Sequence, residues 1–246
     1  MFYEGLMVIL IGVLFCLIML TINPRFLNYK IIVMTLNYKN VSSHVKNKSE
    51  TMQRLVDAVG SIIKKKGYKG LGLNVVAKEA EVSKVLIYRY FGGLDQLVEA
   101  YVLKNDYWIA KAAEVKIEAD GETDKESLKK LIVNLLRGHY EYFNTHEAMR
   151  SIILWEVTER NSLLNSVCQL REEIGSLLLE KAEPMFAGSK KSIKAITAIL
   201  VSGIYYMILH AKKNESTICG IDLNSKDGEE EILEAIAQIV DWAFAD

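Results

Sequence analysis

Proline and cysteine are both scarce in this 246-residue chain, and each scarcity excludes something. Only Pro24 and Pro184 interrupt it, so helices, which proline breaks, are free to run long. The intervals between turn signals are rich in Leu, Ile, Ala, Glu and Lys rather than alternating β-branched residues, which disfavours sheets and predicts an all-α fold. Cys16, Cys168 and Cys219 are odd in number, far apart and without C-x-x-C spacing. That excludes a disulfide framework and a thiolate zinc site and fits a reducing compartment. The four histidines, His44, His139, His146 and His210, have no carboxylates at ligand spacing, so no metal is expected. G-x-x-x-x-G-K-[ST], H-E-x-x-H and G-x-S-x-G are all missing, so neither catalytic residues nor a cofactor is expected and the chain does not read as an enzyme. Half of the residues are apolar, which excludes disorder for most of the length and leaves enough material for a sizeable core.

One long uncharged run is present. Leu6 to Ile22 is at the short end of what crosses a bilayer as a helix. A secretory signal fits it poorly, because Glu4 stands where a cation is needed and no small-x-small cleavage site follows. Two readings stay open. As a membrane anchor, its basic flank (Arg25, Lys30, Lys39, Lys46, Lys48) would lie on the cytoplasmic side, with everything downstream in the cytosol. Alternatively, translation begins at Met34 and residues 1–33 are an extension outside the functional protein. The second is preferred because the run is marginal in length, and every residue given a role below lies after Met34.

Charge is divided unevenly along the chain. Residues 34–104 carry twelve lysines and arginines against six acids, a net +6, whereas 105–246 carry sixteen against twenty-four, a net −8. A basic segment followed by an acidic one is the polarity expected when one part meets a polyanion and the other does not. Within the basic segment, Met52, Leu55, Val56, Val59, Ile62 and Ile63 form one helical stripe, closed by Lys64–Lys66 and Gly67. A two-turn helix over Leu73–Ala80 follows, with Val76, Ala77 and Ala80 inward. Glu81-Val82-Ser83 is a short link, and Ser83 can cap a second helix over Lys84–Phe91. Two short helices joined by a three-residue turn make a helix-turn-helix. On the second, Val82, Ile87 and Phe91 can face the core, while Lys84, Val85, Leu86, Tyr88, Arg89 and Tyr90 cannot all hide. That set suits a major groove: Lys84 and Arg89 for phosphates or guanine edges, Val85 or Leu86 for a thymine methyl, Tyr88 and Tyr90 for phosphate oxygens. The competing reading packs the two tyrosines on neighbouring helices and leaves the cations as a solvated face.

Gly67-Tyr68, Val76-Ala77-Lys78-Glu79-Ala80, Val82-Ser83-Lys84, Ile87-Tyr88-Arg89-Tyr90-Phe91 and Leu97 together resemble the TetR family of transcriptional regulators over about fifty residues, Thr51 to Tyr101. The resemblance implies a recognition helix at 84–90, with DNA contacts at Lys84, Val85, Leu86, Tyr88, Arg89 and Tyr90. It also implies a homodimer through a four-helix bundle of the last two helices. The chain departs from the family at Glu81, where glycine is usual, and at Leu86, where a small or hydroxyl residue is usual. Gly72 replaces a threonine cap and Leu94 a phosphate-binding lysine. The operator therefore cannot be copied from relatives.

The acidic part is expected to hold helices at 94–118, 124–144, 146–158, 161–183, 190–212 and 229–244, separated by Asp120–Asp124 and by Pro184 with Gly188. On 124–144, Leu128, Leu131, Ile132, Leu135, Leu136, His139, Tyr142 and Phe143 share a face, so His139 is either a bonded core histidine or a polar contact in a ligand pocket. Trp108, His139, Tyr142, Phe143, Trp155, Cys168 and Tyr206 are the candidate ligand-binding set. Helix 190–212 is apolar nearly all round and helix 229–244 has two apolar sides, so the core takes one face and a second subunit the other. Leu200, Gly203, Ile232, Ile236, Ile239 and Ala243 are the candidate interface.

The expected organisation is an apolar extension (1–33), a leader (34–48), a helix-turn-helix domain (49–101) and a helical ligand-binding and dimerisation domain (102–246). The expected function is a cytoplasmic, dimeric repressor that binds a near-palindromic DNA operator and is released by a small apolar or amphipathic effector. A constitutive DNA-binding protein whose acidic domain recruits a protein partner is the alternative.

Overall fold

The computed structural model describes residues 43–245, with side chains from Asn47 onward. The apolar run 6–22 and the expected start at Met34 lie outside the described residues. The stripe from Met52 to Ile63 is the buried face of α1 (Ser43–Lys66), which begins inside the expected leader and ends on its three lysines, where a helix C-terminus favours positive charge. A 3-10 turn (Tyr68–Gly70) leads to α2 (Leu73–Glu79), α3 (Val85–Phe91) and α4 (Leu94–Asn105). α2 and α4 pack on α1, and α3 packs on α4. The α1–α4 approach is close at Gly60, where a Cβ would stand 2.6 Å from the buried ring of Tyr101.

After α2 the chain turns through Glu81, which adopts a left-handed φ of 54°. A side chain there costs about 1–2 kcal/mol relative to glycine, part of which glycine gives back as unfolded-state entropy. Glu81→Gly is therefore expected to raise stability by about 0.5–1 kcal/mol, read as a higher urea midpoint at unchanged slope. A lowered midpoint would contradict the strain.

The expected helix 94–118 is in fact two, because the chain is extended at Asp106 (φ −80°, ψ 131°) before α5 (Tyr107–Asp120). Asp106 Oδ1 accepts from the amides of Trp108 (3.0 Å) and Ile109 (3.2 Å), an N-cap for α5. Its Oδ2 accepts from Arg171 Nε at 2.8 Å. The remaining helices are α6 (Lys125–Thr145), α7 (Glu147–Thr158), α8 (Ser162–Ala182), α9 (Ile193–Asn214) and α10 (Lys226–Phe244), with a second 3-10 turn at Glu183–Phe186. α9 starts at Ile193 rather than 190 because Ser192 Oγ accepts from Ala195 N–H at 3.2 Å. α10 starts at Lys226 rather than 229 because Ser225 Oγ accepts from Gly228 N–H at 3.1 Å. Among the described residues there is no strand, only an isolated bridge between Ile218 and Ile221.

The chain divides into two compact units that do not follow the expected boundary at residue 102. The first holds residues through Ala113 with Ser151–Glu173; the second holds Glu114–Arg150 with Ile174 onward. In the first unit, Arg171 joins Asp106 to Glu156, its NH1 donating to Glu156 Oε2 at 2.7 Å, and the Arg171 and Asp106 side chains are only 9% and 4% exposed. In the second unit, α6 is capped by Asp124, which accepts from the amides of Glu126 and Ser127 at 2.9 Å. Its face from Leu128 to Phe143 packs on α9 and α10. Lys129 pairs with Asp241 at 3.0 Å and Arg137 Nε donates to the Leu233 carbonyl at 3.2 Å, which tie α6 to α10.

Candidate nucleic-acid interface

α2 and α3 are held from behind. Val76, Ala77, Ala80, Ile87 and Phe91 are buried, and the turn between them is closed by Val82 N–H donating to the Ala77 carbonyl at 2.9 Å. Ser83 Oγ accepts from Val85 N–H at a long 3.4 Å, while its carbonyl accepts from Leu86 N–H at 3.0 Å, so the first turn of α3 is held more by backbone than by the expected serine cap. Gly92 ends the helix with φ 90°, a conformation that side chains resist, and its N–H bonds the Tyr88 carbonyl.

Because Ile87 and Phe91 turn inward, the other side of α3 is displayed. Lys84, Val85, Tyr88 and Arg89 are exposed, Val85 and Tyr88 by 63% and 53%, whereas Leu86 and Tyr90 are half-buried. Lys48 Nζ lies 5.6 Å from the centre of the Tyr90 ring, within cation–π range, so Tyr90 also packs against α1. The neighbouring acid is neutralised. Glu79 accepts from Lys65 (2.8 Å) and Ser61 (2.6 Å), and the Lys65 bond above all holds its carboxyl below the usual range. Lys64, Lys66, Lys78, Lys84 and Arg89 have no ion pair among the described residues. The result is a short helix whose free face carries cations, a phenol and one protruding aliphatic side chain, backed by unpaired lysines. That arrangement can meet both phosphates and base edges.

The candidate ligand residues are divided between the two units. In the first unit Trp155 stacks on Tyr68, with ring centres 4.9 Å apart and planes at 4°, and the Tyr68 hydroxyl donates to Glu159 at 2.8 Å. Trp108 sets its ring edge to Tyr107 at 5.3 Å. Cys168 is half-buried, its thiol pushed up to about 12 by burial and then by a bond to Glu156, so it stays protonated and unreactive. In the second unit His139 is buried with Phe143, and Tyr205 meets both edge-on at 4.6 and 4.8 Å. Tyr142 instead stacks on His146 at 3.8 Å. Tyr206 is 64% exposed, because it is Tyr205, turned about 100° from it on the helix, that faces α6.

The candidate interface residues differ in burial. Leu200, Ile236 and Ala243 are buried inside the second unit. Gly203, Ile232 and Ile239 are only partly covered, and the large exposed apolar side chains on α9 and α10 are Ile199 (72%), Tyr206 and Trp242 (66%). α9 is long and apolar enough by composition to cross a membrane, with 22% of its apolar window buried inside the chain. Asp106, Arg171 and Glu156 were absent from every candidate set. Their signal was an Asn-Asp pair inside an apolar pattern, readable as a helix cap only with the arginine in view.

Residues 52–101 match the family model described as bacterial regulatory proteins, tetR family. A Rhodococcus sp. protein described as a TetR-family transcriptional regulator superposes with a TM-score of 0.57 at 18% identity, covering 80% of this chain and 100% of its own. The fatty acid degradation regulator FadR of Bacillus halodurans gives 0.55 at 13%, covering 76% and 96%. FadR of Bacillus subtilis, in complex with stearoyl-CoA, gives 0.53 at 15%, covering 75% and 97%. At these identities the likeness is one of fold: an amino-terminal helix-turn-helix followed by a helical domain. No curated protein matches the sequence.

Proposed function

We propose that the chain, whose residues 52–101 match the family of bacterial regulatory proteins named for TetR, is a dimeric, effector-responsive transcriptional repressor. The observation that carries the reading is the exposed face of α3, with Lys84 and Arg89 unpaired among the described residues and inside the matched segment. Two such helices, one from each subunit, would enter successive major grooves roughly 34 Å apart on a near-palindromic operator. The second copy would cover the face of Ile199, Tyr206 and Trp242, with Gly203, Ile232 and Ile239 at its margin. Helices α9 and α10 from both copies would then form a four-helix bundle.

The effector is a small apolar or amphipathic molecule. Long-chain acyl-CoA is the first to try, since a protein of the same fold carries stearoyl-CoA. It acts by linkage: it favours a conformation whose recognition helices no longer match the two grooves, and a ligand that binds both states equally releases nothing. No chemistry is assigned to the chain, and its place is the cytoplasm, where the DNA is.

Selection of operator sequences from random duplexes, followed by titration of Lys84→Ala and Arg89→Ala, tests the reading. Each variant is expected to lose about 1–3 kcal/mol of binding. A residue that reads a base loses it at one operator position. One that meets phosphate loses it on every sequence, with a salt slope shallower by about one. Unchanged affinity in both variants would overturn the placement of the recognition helix.

A further inference from the structure

Val85 stands out on α3. It is 63% exposed at the first helical position, between Lys84 and, one turn on, Tyr88 and Arg89. Leu86, the other aliphatic residue of that turn, is half-buried and spends its side chain on the protein itself. An aliphatic side chain pressed on a base edge covers donors or acceptors that then lack partners, which is unfavourable. One group in the major groove escapes that penalty. The C5-methyl of thymine is apolar, protrudes into the groove and needs no hydrogen bond.

We infer that Val85 is a specificity-determining residue and that each operator half-site carries a thymine whose C5-methyl packs on it. The inference rests on the DNA-binding reading above and adds the identity of one base to it. The first turn of α3 is the part that reaches base edges in a recognition helix. Lys84 and Arg89 on either side supply charge to the flanking phosphates or to neighbouring acceptors, so the valine is delivered to the groove floor by a surface that DNA attracts. Val75, on α2, is the other exposed valine of this segment, at 39%, and lies outside α3. It removes the same atoms when shortened and serves as the control.

The test uses the full chain and an operator selected with it. Each thymine of a half-site is replaced singly by deoxyuridine, which lacks only the methyl. At one position per half-site, deoxyuridine is expected to weaken wild-type binding about four-fold, the effect of one methyl group removed from a water-free contact. Val85→Ala binds thymine and deoxyuridine alike at that position, whereas Val75→Ala keeps the difference. A selected operator indifferent to deoxyuridine at every thymine, or a Val85→Ala variant that keeps the wild-type sensitivity, overturns the inference and leaves the regulator reading standing. Failure of the wild-type chain to select any sequence overturns both.

Discussion

Arg171→Leu is expected to destabilise the protein by about 3–5 kcal/mol, a large part of the 5–15 kcal/mol that holds a typical domain together. The arginine bridges two carboxylates that are mostly out of water. Its Nε and NH2 lie 2.8 Å from Asp106 Oδ2, and its NH1 is 2.7 Å from Glu156. Removing it leaves Asp106 buried at the break between α4 and α5 with its charge held by the two helix amides but no longer paired with the arginine. Asp106→Asn is expected to cost less than Arg171→Leu, because an amide oxygen can still accept from Trp108 and Ile109. In combination it should recover part of the arginine loss by removing the stranded charge. Urea unfolding followed by circular dichroism measures all three variants. A loss below about 1 kcal/mol for Arg171→Leu would mean that the pair behaves as a solvated surface bridge.

Trp242→Glu and Ile199→Glu are expected to convert the proposed dimer to a monomer at micromolar concentration while leaving helical content intact. Both side chains are more than half exposed in the single chain, so a glutamate there is tolerated until a second copy arrives. Two-fold symmetry then buries the charge twice, and each unpaired carboxylate costs several kcal/mol. Operator affinity should fall with it, since each subunit contributes one half-site contact. Ile236→Glu behaves differently. Ile236 is buried within the unit, so the expected outcome is loss of the fold itself, seen as lost helical signal rather than a change of mass. Sedimentation of the wild-type chain as a monomer would contradict the dimer, and dimeric Trp242→Glu and Ile199→Glu variants would move its interface elsewhere.

The parts of this protein legible in its residues are those set by near neighbours along the chain. The stripe from Met52 to Ile63, the loop at Asp120–Asp124, the two-turn helix before Glu81 and the inward Ile87 and Phe91 all follow from helical period and from turn chemistry, which act within a few residues. The displayed face of α3 was legible for the same reason: once two residues of a seven-residue helix turn inward, the others have few places to go. What needed the tertiary structure was any choice between faces that look alike from the chain. Tyr205 and Tyr206 are neighbours of one type, and only the packing of α9 on α6 turns the first toward His139 and the second to solvent. α10 has two apolar stripes, and only its seat on α6 takes Ile236, Val240 and Phe244 inward and leaves Trp242 outside. The break at Asp106 has the same origin, because an aspartate within a helical pattern is tolerated until an arginine 65 residues away holds it in an extended conformation. Period states that a helix has an apolar side, but where two sides qualify, long-range burial and pairing decide which one faces the core.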